Sequence, residues 1–191
     1  MTLVTAALAD HWPTTLRTER LVLRPVDRRD FPVVEELLTS PAVRRHLGGP
    51  VPAERIAARQ QGYAAMTGCF AIAPAAGGQT AGLVSIEADS RQTGRAEISY
   101  QLRPSDWGRG LGREAVAAVI TWWTSVAPQT TEVIAVTQES NTASRKLLEA
   151  VGMVLADTLV EYGARQSLYT LAPPGTTASR DRRPREHHCG A

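Results

Sequence analysis

The feature that most constrains the fold is a glycine-rich turn that joins a strand to a helix. The strand, at residues 95–102, alternates apolar and polar side chains. The helix, at 112–126, carries one apolar stripe. Gly108, Gly110 and Gly112 lie between them. A strand, a tight turn and an amphipathic helix in this order predict a sheet covered by helices.

The rest of the pattern predicts seven strands and four helices in the order β α α β β β α β α β β. The strands are expected at 18–26, 68–73, 80–87, 95–102, 132–137, 153–161 and 166–171. The helices are expected at 31–40, 52–66, 112–126 and 141–151. Strand runs interrupted by two crossover helices favour a mixed sheet.

Length and charge exclude several classes of protein. The chain has 191 residues, which fits one domain plus a tail. Of the 21 basic and 19 acidic residues, four and two lie after residue 171, which leaves 17 of each in the body. A neutral body offers no footprint for a nucleic-acid backbone, so no nucleic-acid partner is expected. Two cysteines are too few for a disulfide scaffold or a cysteine zinc site.

The two ends of the chain differ from its body in hydrophobic pattern and composition. Residues 1–16 are weakly patterned and are interpreted as an N-terminal extension, residues 17–172 as the domain, and residues 173–191 as a disordered Arg-rich tail. No stretch reaches the ~18 apolar residues of a membrane span. No Arg or Lys precedes Arg17, so a signal peptide is not expected and a cytoplasmic location is expected.

The glycine turn has two interpretations from its residues alone. Its backbone N–H groups open a helix, where they and the helix dipole attract an anion, and Arg109 and Arg113 flank it. The other interpretation is a tight turn with a helix cap. The dinucleotide fingerprint fails because Arg113 stands where its third glycine should be, and the Walker A pattern fails because no Lys-Ser or Lys-Thr follows.

Two longer segments carry a family resemblance. AEISYQLRPSDWGRGLGREA followed by ESNTASRKLLEAVGM is similar to motifs A and B of the GNAT superfamily of acyl-CoA-dependent N-acyltransferases. The opening TERLVLRPV resembles the first strand of its Rim-like branch, which contains ribosomal-protein N-terminal acetyltransferases. The resemblance implies an α/β (α+β) GNAT fold. Its mixed, mostly antiparallel central sheet has six to seven strands flanked by about four helices.

The resemblance also implies a site for acetyl-CoA. The glycine turn would hold the pyrophosphate, the end of the preceding strand would pair with the pantetheine amides and supply an oxyanion donor, and Asn141 would bind the pantetheine arm. Asn141 is equally suited to cap the next helix. The implied cofactor-binding residues are Gln101, Leu102, Arg109, Gly110, Leu111, Gly112, Arg113 and Asn141.

Two residues are the candidates for the chemistry. The resemblance implies Glu97 as the general base, acting directly or through water; alternatively it is an ordinary glutamate on the face that it shares with Ser99 and Gln101. Ser144 matches a serine near the sulfur in Rim-like enzymes; alternatively it is a helix-surface hydroxyl. Leu148 stands where many family members carry a tyrosine acid, which leaves the general acid open.

Other conspicuous residues have simpler interpretations. His46 could touch an acceptor or be a solvated loop histidine, Cys69 is expected to be a small buried residue, and Trp122 and Trp123 are expected to pack. His187, His188 and Cys189 at a tail end make no closed metal site, so no metal is expected.

The expected function is transfer of an acetyl group from acetyl-CoA to a primary amine by direct attack in a ternary complex. The acceptor is a protein N-terminus or a small-molecule amine. One alternative is a GNAT-fold module that binds acyl-CoA without transfer, and another is a nucleic-acid binder acting through the tail. No membrane partner is expected, and a homodimer is left open, because terminal strands of such folds often pair across dimers.

Overall fold

Strands and helices alternate along the chain in a computed structural model that describes residues 2–91, 93–128 and 132–171. The strands are β1 (Leu16–Arg17), β2 (Leu21–Pro25), β3 (Cys69–Pro74), β4 (Gly82–Ala88), β5 (Ala96–Leu102), β6 (Val133–Gln138), β7 (Val154–Glu161) and β8 (Ala164–Leu171). The helices are α1 (Leu3–His11), α2 (Phe31–Thr39), α3 (Pro41–Arg44), α4 (Ala53–Ala65), α5 (Leu111–Val126) and α6 (Thr142–Ala150). The tail predicted at 173–191 lies outside the described residues.

The eight strands form one sheet in the order β1-β2-β3-β4-β5-β6-β8-β7. Neighbouring strands pair antiparallel, except that β5 and β6 are parallel. A parallel pair needs a crossover connection, and α5 supplies it. The predicted fold class, a mixed and mostly antiparallel sheet with flanking helices, is confirmed.

Helices cover both faces of the sheet. α1, α5 and α6 share one core with the strands, in which Val4, Trp123 and Leu148 are buried. α2 and α4 share the second core, in which Leu37 and Ile56 are buried. The stripe predicted on α5 is its buried face: Ala115, Val116, Val119, Ile120 and Trp123. Burying such a stripe supplies the main driving force for docking a helix on a sheet.

Three short elements exceed the predicted count of six to seven strands and about four helices. β1 has two residues and α3 has four, too few to show a periodicity. α1 lies within the first sixteen residues, where apolar side chains surround the helix, yet only Val4 and Leu8 are buried. β1 therefore adds a strand at the edge of the sheet that the sequence pattern does not predict. α1 likewise adds residues to the core that α5 and α6 share. We propose 17–172 as the domain, with α1 packed on it.

Candidate active site

The turn after β5 is held against the end of that strand. A single 3₁₀ turn at Pro104–Asp106 leads into it. The indole N–H of Trp107 then donates to the carbonyl oxygen of Leu102 at 2.9 Å. This bond fixes the start of the glycine segment relative to β5.

The glycine segment delivers the chain into α5 with unpaired donors. Gly108 and Gly110 have φ of 72° and 77°, which L side chains rarely adopt. Leu111, Gly112 and Arg113 form the first turn of α5, so their backbone N–H groups have no partner within the helix. The turn therefore presents donors and the positive end of a helix dipole at one place.

Close packing explains the last glycine. A Cβ at Gly112 would lie 3.0 Å from Leu147 Cδ1 and 3.2 Å from Leu102 Cδ1. Such contacts are tighter than a normal van der Waals approach. Glycine at this position lets α5 start against both α6 and β5.

Arg20 and Glu114 fasten the glycine segment to the turn between β1 and β2. The Arg20 guanidinium donates from Nε to Glu114 Oε2 at 2.7 Å and from Nη1 to the Arg109 carbonyl oxygen at 3.0 Å. Thr18 Oγ1 also donates to Glu114 Oε1, at 2.5 Å. Burial opposes ionisation of Glu114, but these bonds hold its pKa below the ordinary value. The sequence analysis missed this clamp, because its partners lie 94 positions apart.

The two flanking arginines behave differently. Arg109 donates to Asp106 Oδ1 at 2.6 Å and is largely exposed. Arg113 is exposed on the first turn of α5, and within the described ranges it makes no ion pair. Its guanidinium remains available to an anion at the helix N-terminus.

β5 and β6 separate soon after they meet. β5 pairs with β4 along all seven of its residues, from Ala96 to Leu102. With β6 it pairs only at Ala96↔Val133 and Glu97↔Ile134. The β6-facing edge of residues 98–102 is therefore left without a strand partner. We call this gap the strand opening; the glycine turn lies at its end.

The backbone direction along β5 decides which residues face the strand opening. The Ala96 N–H donates toward β6, to the Glu132 carbonyl oxygen at 3.1 Å. Hydrogen-bonding direction alternates along a strand, so the same edge holds the N–H groups of Ile98, Tyr100 and Leu102. Gln101 directs its N–H toward β4. Of the two predicted strand residues, only Leu102 thus directs its backbone N–H into the opening.

The start of α6 brings three polar side chains together. Asn141 Oδ1 accepts from the Ser144 N–H at 3.2 Å and so caps the helix. The Ser144 hydroxyl lies 2.7 Å from the Tyr100 hydroxyl of β5. Burial raises the pKa of Tyr100 to about 12, against the opposing effect of the Ser144 hydrogen bond. Leu148 is 1% exposed and belongs to the core.

Tyr100 is a site residue that was not among the candidates predicted from the sequence. The alternation of β5 places it on the face opposite Glu97, toward α6. Its position on the strand before the glycine turn was the available signal. What the sequence lacked was the pairing of that face with the start of α6.

The other face of β5 carries the candidate base. Glu97, Ser99 and Gln101 share it, as predicted from their spacing. Glu87 of β4 is the register partner of Glu97. Gln101 Nε2 donates to the Tyr63 hydroxyl at 3.4 Å, and Gln101 Oε1 is buried with no hydrogen-bond partner. We call this surface the acceptor face.

Both carboxylates of the acceptor face resist ionisation. Burial raises the pKa of Glu97, the charge of Arg91 opposes that rise, and Asp89 and Glu87 add to it. Burial also raises the pKa of Glu87. A carboxyl with a raised pKa is a better proton acceptor once it is ionised.

His46 connects the loop after α3 to the end of β6. Its Nδ1 lies 3.1 Å from Gln138 Oε1 at the end of β6. The loop after α3 thereby reaches across to β6. The side chain is half-buried and hydrogen-bonded, not free in solvent.

The remaining singled-out residues are structural. Cys69 is fully buried, and burial raises the pKa of its thiol to about 12, so the thiol is unreactive at neutral pH. Trp123 is 1% exposed, and Trp122 packs edge-on against Phe70. Among residues 2–91, 93–128 and 132–171, no helix is long and apolar enough to cross a membrane. The same ranges hold no group of three metal-binding side chains.

The family follows from comparison with known sequences. The sequence profile of the acetyltransferase (GNAT) domain matches residues 20–154, well over half of the chain. The chain therefore belongs to this family, and the predicted class of enzyme, an acetyltransferase, is confirmed. A relative, the uncharacterized N-acetyltransferase p20 of Bacillus licheniformis, is 27% identical over 156 residues, which are 78% of this chain and 86% of that protein.

Solved structures share the fold. A GNAT-family acetyltransferase from Bacillus anthracis matches with a TM-score of 0.73 at 18% identity, over 84% of this chain and 99% of that one. RimL, a ribosomal L7/L12 alpha-N-protein acetyltransferase solved with coenzyme A, matches with a TM-score of 0.68 at 19% identity, over 83% of this chain and 98% of that one. At these identities the likeness establishes the common architecture.

Proposed function

We propose that the chain transfers an acetyl group from acetyl-CoA to a primary amine by direct attack in a ternary complex. The observation that carries the proposal is the strand opening between β5 and β6, with the glycine turn at its end. An open strand edge suits a linear chain of amides, and a helix N-terminus suits a pyrophosphate. Both parts of acetyl-CoA thus have matching surfaces next to each other.

The glycine turn fits the pyrophosphate. The backbone N–H groups of residues 109–113 would donate to its oxygens, and the exposed Arg113 would pair with its charge. A Cβ at Gly110 would be in ordinary contact with Arg20 Nη2, at 3.4 Å, but the φ of 77° at this position is one that L side chains rarely adopt. Glycine therefore lets the backbone approach a phosphate closely.

The strand opening fits the pantetheine arm. The N–H groups of Tyr100 and Leu102 face it and would pair with the amide oxygens of the arm. The Asn141 side chain uses its oxygen as a helix cap and keeps its amide N–H groups free to donate. The N–H of Ile98, the remaining donor on this edge, would polarise the thioester carbonyl.

The acceptor amine would enter from the acceptor face. Glu97 would take a proton from the ammonium, directly or through one water, and so free the nitrogen lone pair. The lone pair forms the C–N bond at the thioester carbon, and collapse of the adduct breaks the C–S bond. The adduct nitrogen gives its second proton to solvent as the C–S bond breaks. The Ser144 hydroxyl would donate a hydrogen bond to the departing sulfur, which takes a proton from solvent. Gln101 Oε1, which lacks a partner, would accept from an N–H of the bound acceptor.

The acceptor is a protein N-terminus or a small-molecule amine, in line with the resemblance to the Rim-like branch. Two carboxylates on the acceptor face, Glu87 and Glu97, favour a cationic group over an anionic one. We place the enzyme in the cytoplasm, where acetyl-CoA is available, and expect no metal in the reaction.

The test is release of free thiol from acetyl-CoA over a panel of peptides with free N-termini and small amines. We expect release with at least one amine, and a fall of about 100-fold or more in kcat for Glu97→Gln. Equal rates for Glu97→Gln and the parent would exclude Glu97 as the base. Binding of acetyl-CoA without release on any amine would support the non-catalytic alternative and overturn the proposal.

A further inference from the structure

Arg91 joins three parts of the chain at the edge of the acceptor face. It lies in the loop between β4 and β5. Its Nε and Nη2 donate to the two carboxylate oxygens of Glu161 at 3.0 and 2.6 Å. Its Nη1 donates to Glu97 Oε2 and to Asp89 Oδ1, each at 3.2 Å.

We propose that Arg91 is a positioning residue for the acetyl transfer: anchored on Glu161 of the β7–β8 hairpin, it orients the Glu97 carboxylate toward the acceptor amine. This inference rests on the proposed function, because it requires Glu97 to act as the base. It assigns a role to a charge network that neither the glycine turn nor the strand opening involves.

The geometry of the network supports positioning over a simple surface ion pair. A bidentate arginine–carboxylate pair fixes the plane of the guanidinium. With Glu161 holding two nitrogens, the remaining Nη1 has a set direction, and Glu97 lies along it. The side chains of Arg91, Glu97 and Glu161 are 22%, 20% and 30% exposed, so solvent screens these contacts less than a fully exposed pair. Within the described ranges, Glu97 makes no other ion pair.

The same contact sets the protonation of Glu97. Burial raises the pKa of Glu97, and Asp89 and Glu87 of β4 raise it further, while Arg91 lowers it. Glu161 of β7 acts on Glu97 through Arg91, and β6 faces it with the uncharged Ile134. Removal of Arg91 takes away the influence that lowers the pKa of Glu97, while burial, Asp89 and Glu87 still raise it. The carboxylate would then become ionised only at higher pH.

The pH profile of kcat distinguishes this role from a structural one. At low pH, kcat falls as Glu97 becomes protonated; this is the acidic limb of the pH profile. We expect Arg91→Gln to move this limb to higher pH by about one unit. Below the limb kcat should then fall about tenfold relative to the parent. Arg91→Lys should restore most of the position of the limb, because it keeps the charge. The same acceptor amine is used throughout, so that its own ionisation is common to all variants.

Arg95→Gln is the matched control. Arg95 lies in the same loop and also pairs with Asp89, at 3.7 Å, but its other contacts are Glu132 and the Thr93 hydroxyl. Its replacement removes the same charge. We expect its acidic limb to coincide with that of the parent. Thermal unfolding of both variants measures how much each change destabilises the fold.

A double-mutant cycle tests the anchor. Glu161→Gln should lower kcat in the parent and have no further effect in Arg91→Gln, because Glu161 acts through Arg91. Equal effects in both backgrounds would contradict the anchoring role.

The outcomes separate this inference from the proposed function. If Glu97→Gln lowers kcat but Arg91→Gln leaves the acidic limb in place, the inference fails and the proposed function stands. If Glu97→Gln leaves kcat unchanged, the base assignment fails and the inference fails with it.

Discussion

The hydroxyl groups of Tyr100 and Ser144 lie 2.7 Å apart, where β5 meets the start of α6. Burial keeps the phenol protonated, since it raises the pKa of Tyr100 to about 12. Tyr100 can therefore donate to Ser144, and Ser144 can donate onward into the strand opening. Hydrogen bonds in such a chain strengthen one another.

This pair predicts a non-additive effect on turnover. Ser144→Ala should lower kcat about tenfold, because it removes a hydrogen bond to a charged sulfur. Tyr100→Phe should lower kcat less, and it should have no further effect once Ser144 is alanine. The measurement is kcat for the two single variants and the double variant with one acceptor amine.

Tyr169→Phe is the control for that cycle. The Tyr169 hydroxyl bonds Glu149 and Arg145 of the same helix, α6, at 2.8 and 3.2 Å. Within the described residues it makes no hydrogen bond to Tyr100 or Ser144, so stability should fall and kcat should not. A Tyr100→Phe effect of equal size with and without Ser144 would rule out action through the serine.

The clamp at the glycine turn predicts a loss of cofactor affinity. Glu114→Gln replaces the carboxylate that accepts from Arg20 and Thr18. Arg20 is then held less firmly, and so is its hydrogen bond to the Arg109 carbonyl oxygen in the turn. We expect the Kd for acetyl-CoA to rise about tenfold, the equivalent of one charge-assisted hydrogen bond. Calorimetric titration measures it.

Glu139→Gln serves as the reference for the clamp. Glu139 pairs with Arg165 at 2.8 Å, with both side chains well exposed. Its loss should leave the Kd unchanged, because surface pairs contribute little. A Kd for Glu114→Gln that equals the parent value would show that the turn does not depend on the clamp.

A buried ion pair predicts the largest loss of stability away from the site. Asp30 is 1% exposed and accepts from Arg24 Nη1 and Nη2 at 2.7 and 2.9 Å. Asp30→Asn should lower the free energy of unfolding by about 3 kcal/mol, because Arg24 stays half-buried without its partner. Asp27→Asn, at a partly exposed position that pairs with Arg24 more loosely, at 3.5 Å, should cost less than about 1 kcal/mol. Urea unfolding measures both.

The effect of Asp30→Asn should also depend on pH. Burial raises the pKa of Asp30, but the hydrogen bonds from Arg24, the Asp27 backbone and Thr80 outweigh it and hold the pKa below its ordinary value. A lowered pKa contributes stability above the pKa of an unfolded aspartate, and that stability is lost as the pH falls through the folded value. The difference between parent and Asp30→Asn should therefore shrink in acid. A constant difference would contradict the assignment.

The sequence predicted the long elements and the glycine turn, because periodicity and glycine positions are local signals. The buried stripe of α5 and the shared face of Glu97, Ser99 and Gln101 follow directly from periods of 3.6 and 2. The roles of the predicted site residues stay predictions until the experiments above are made.

Contacts between distant segments could not be predicted. The Arg20–Glu114 clamp, the Tyr100–Ser144 pair and the Arg91–Glu161 pair join residues 94, 44 and 70 positions apart. No local pattern encodes such pairs, since they depend on sheet order. The direction of the β5 backbone is a similar case: it decides that Leu102, and not Gln101, offers its N–H to the strand opening, and it depends on the pairing with β4 and β6.

The most direct test of the account is acetyl-CoA binding by calorimetry on the parent, Gly110→Glu and Gly163→Glu. Both glycines have positive φ, 77° and 73°, so both substitutions strain the backbone alike, but Gly163 lies in the β7–β8 turn. We expect micromolar binding by the parent and by Gly163→Glu, and none by Gly110→Glu. Equal binding by all three chains, or none by the parent, would contradict the assignment of the glycine turn and the strand opening to acetyl-CoA.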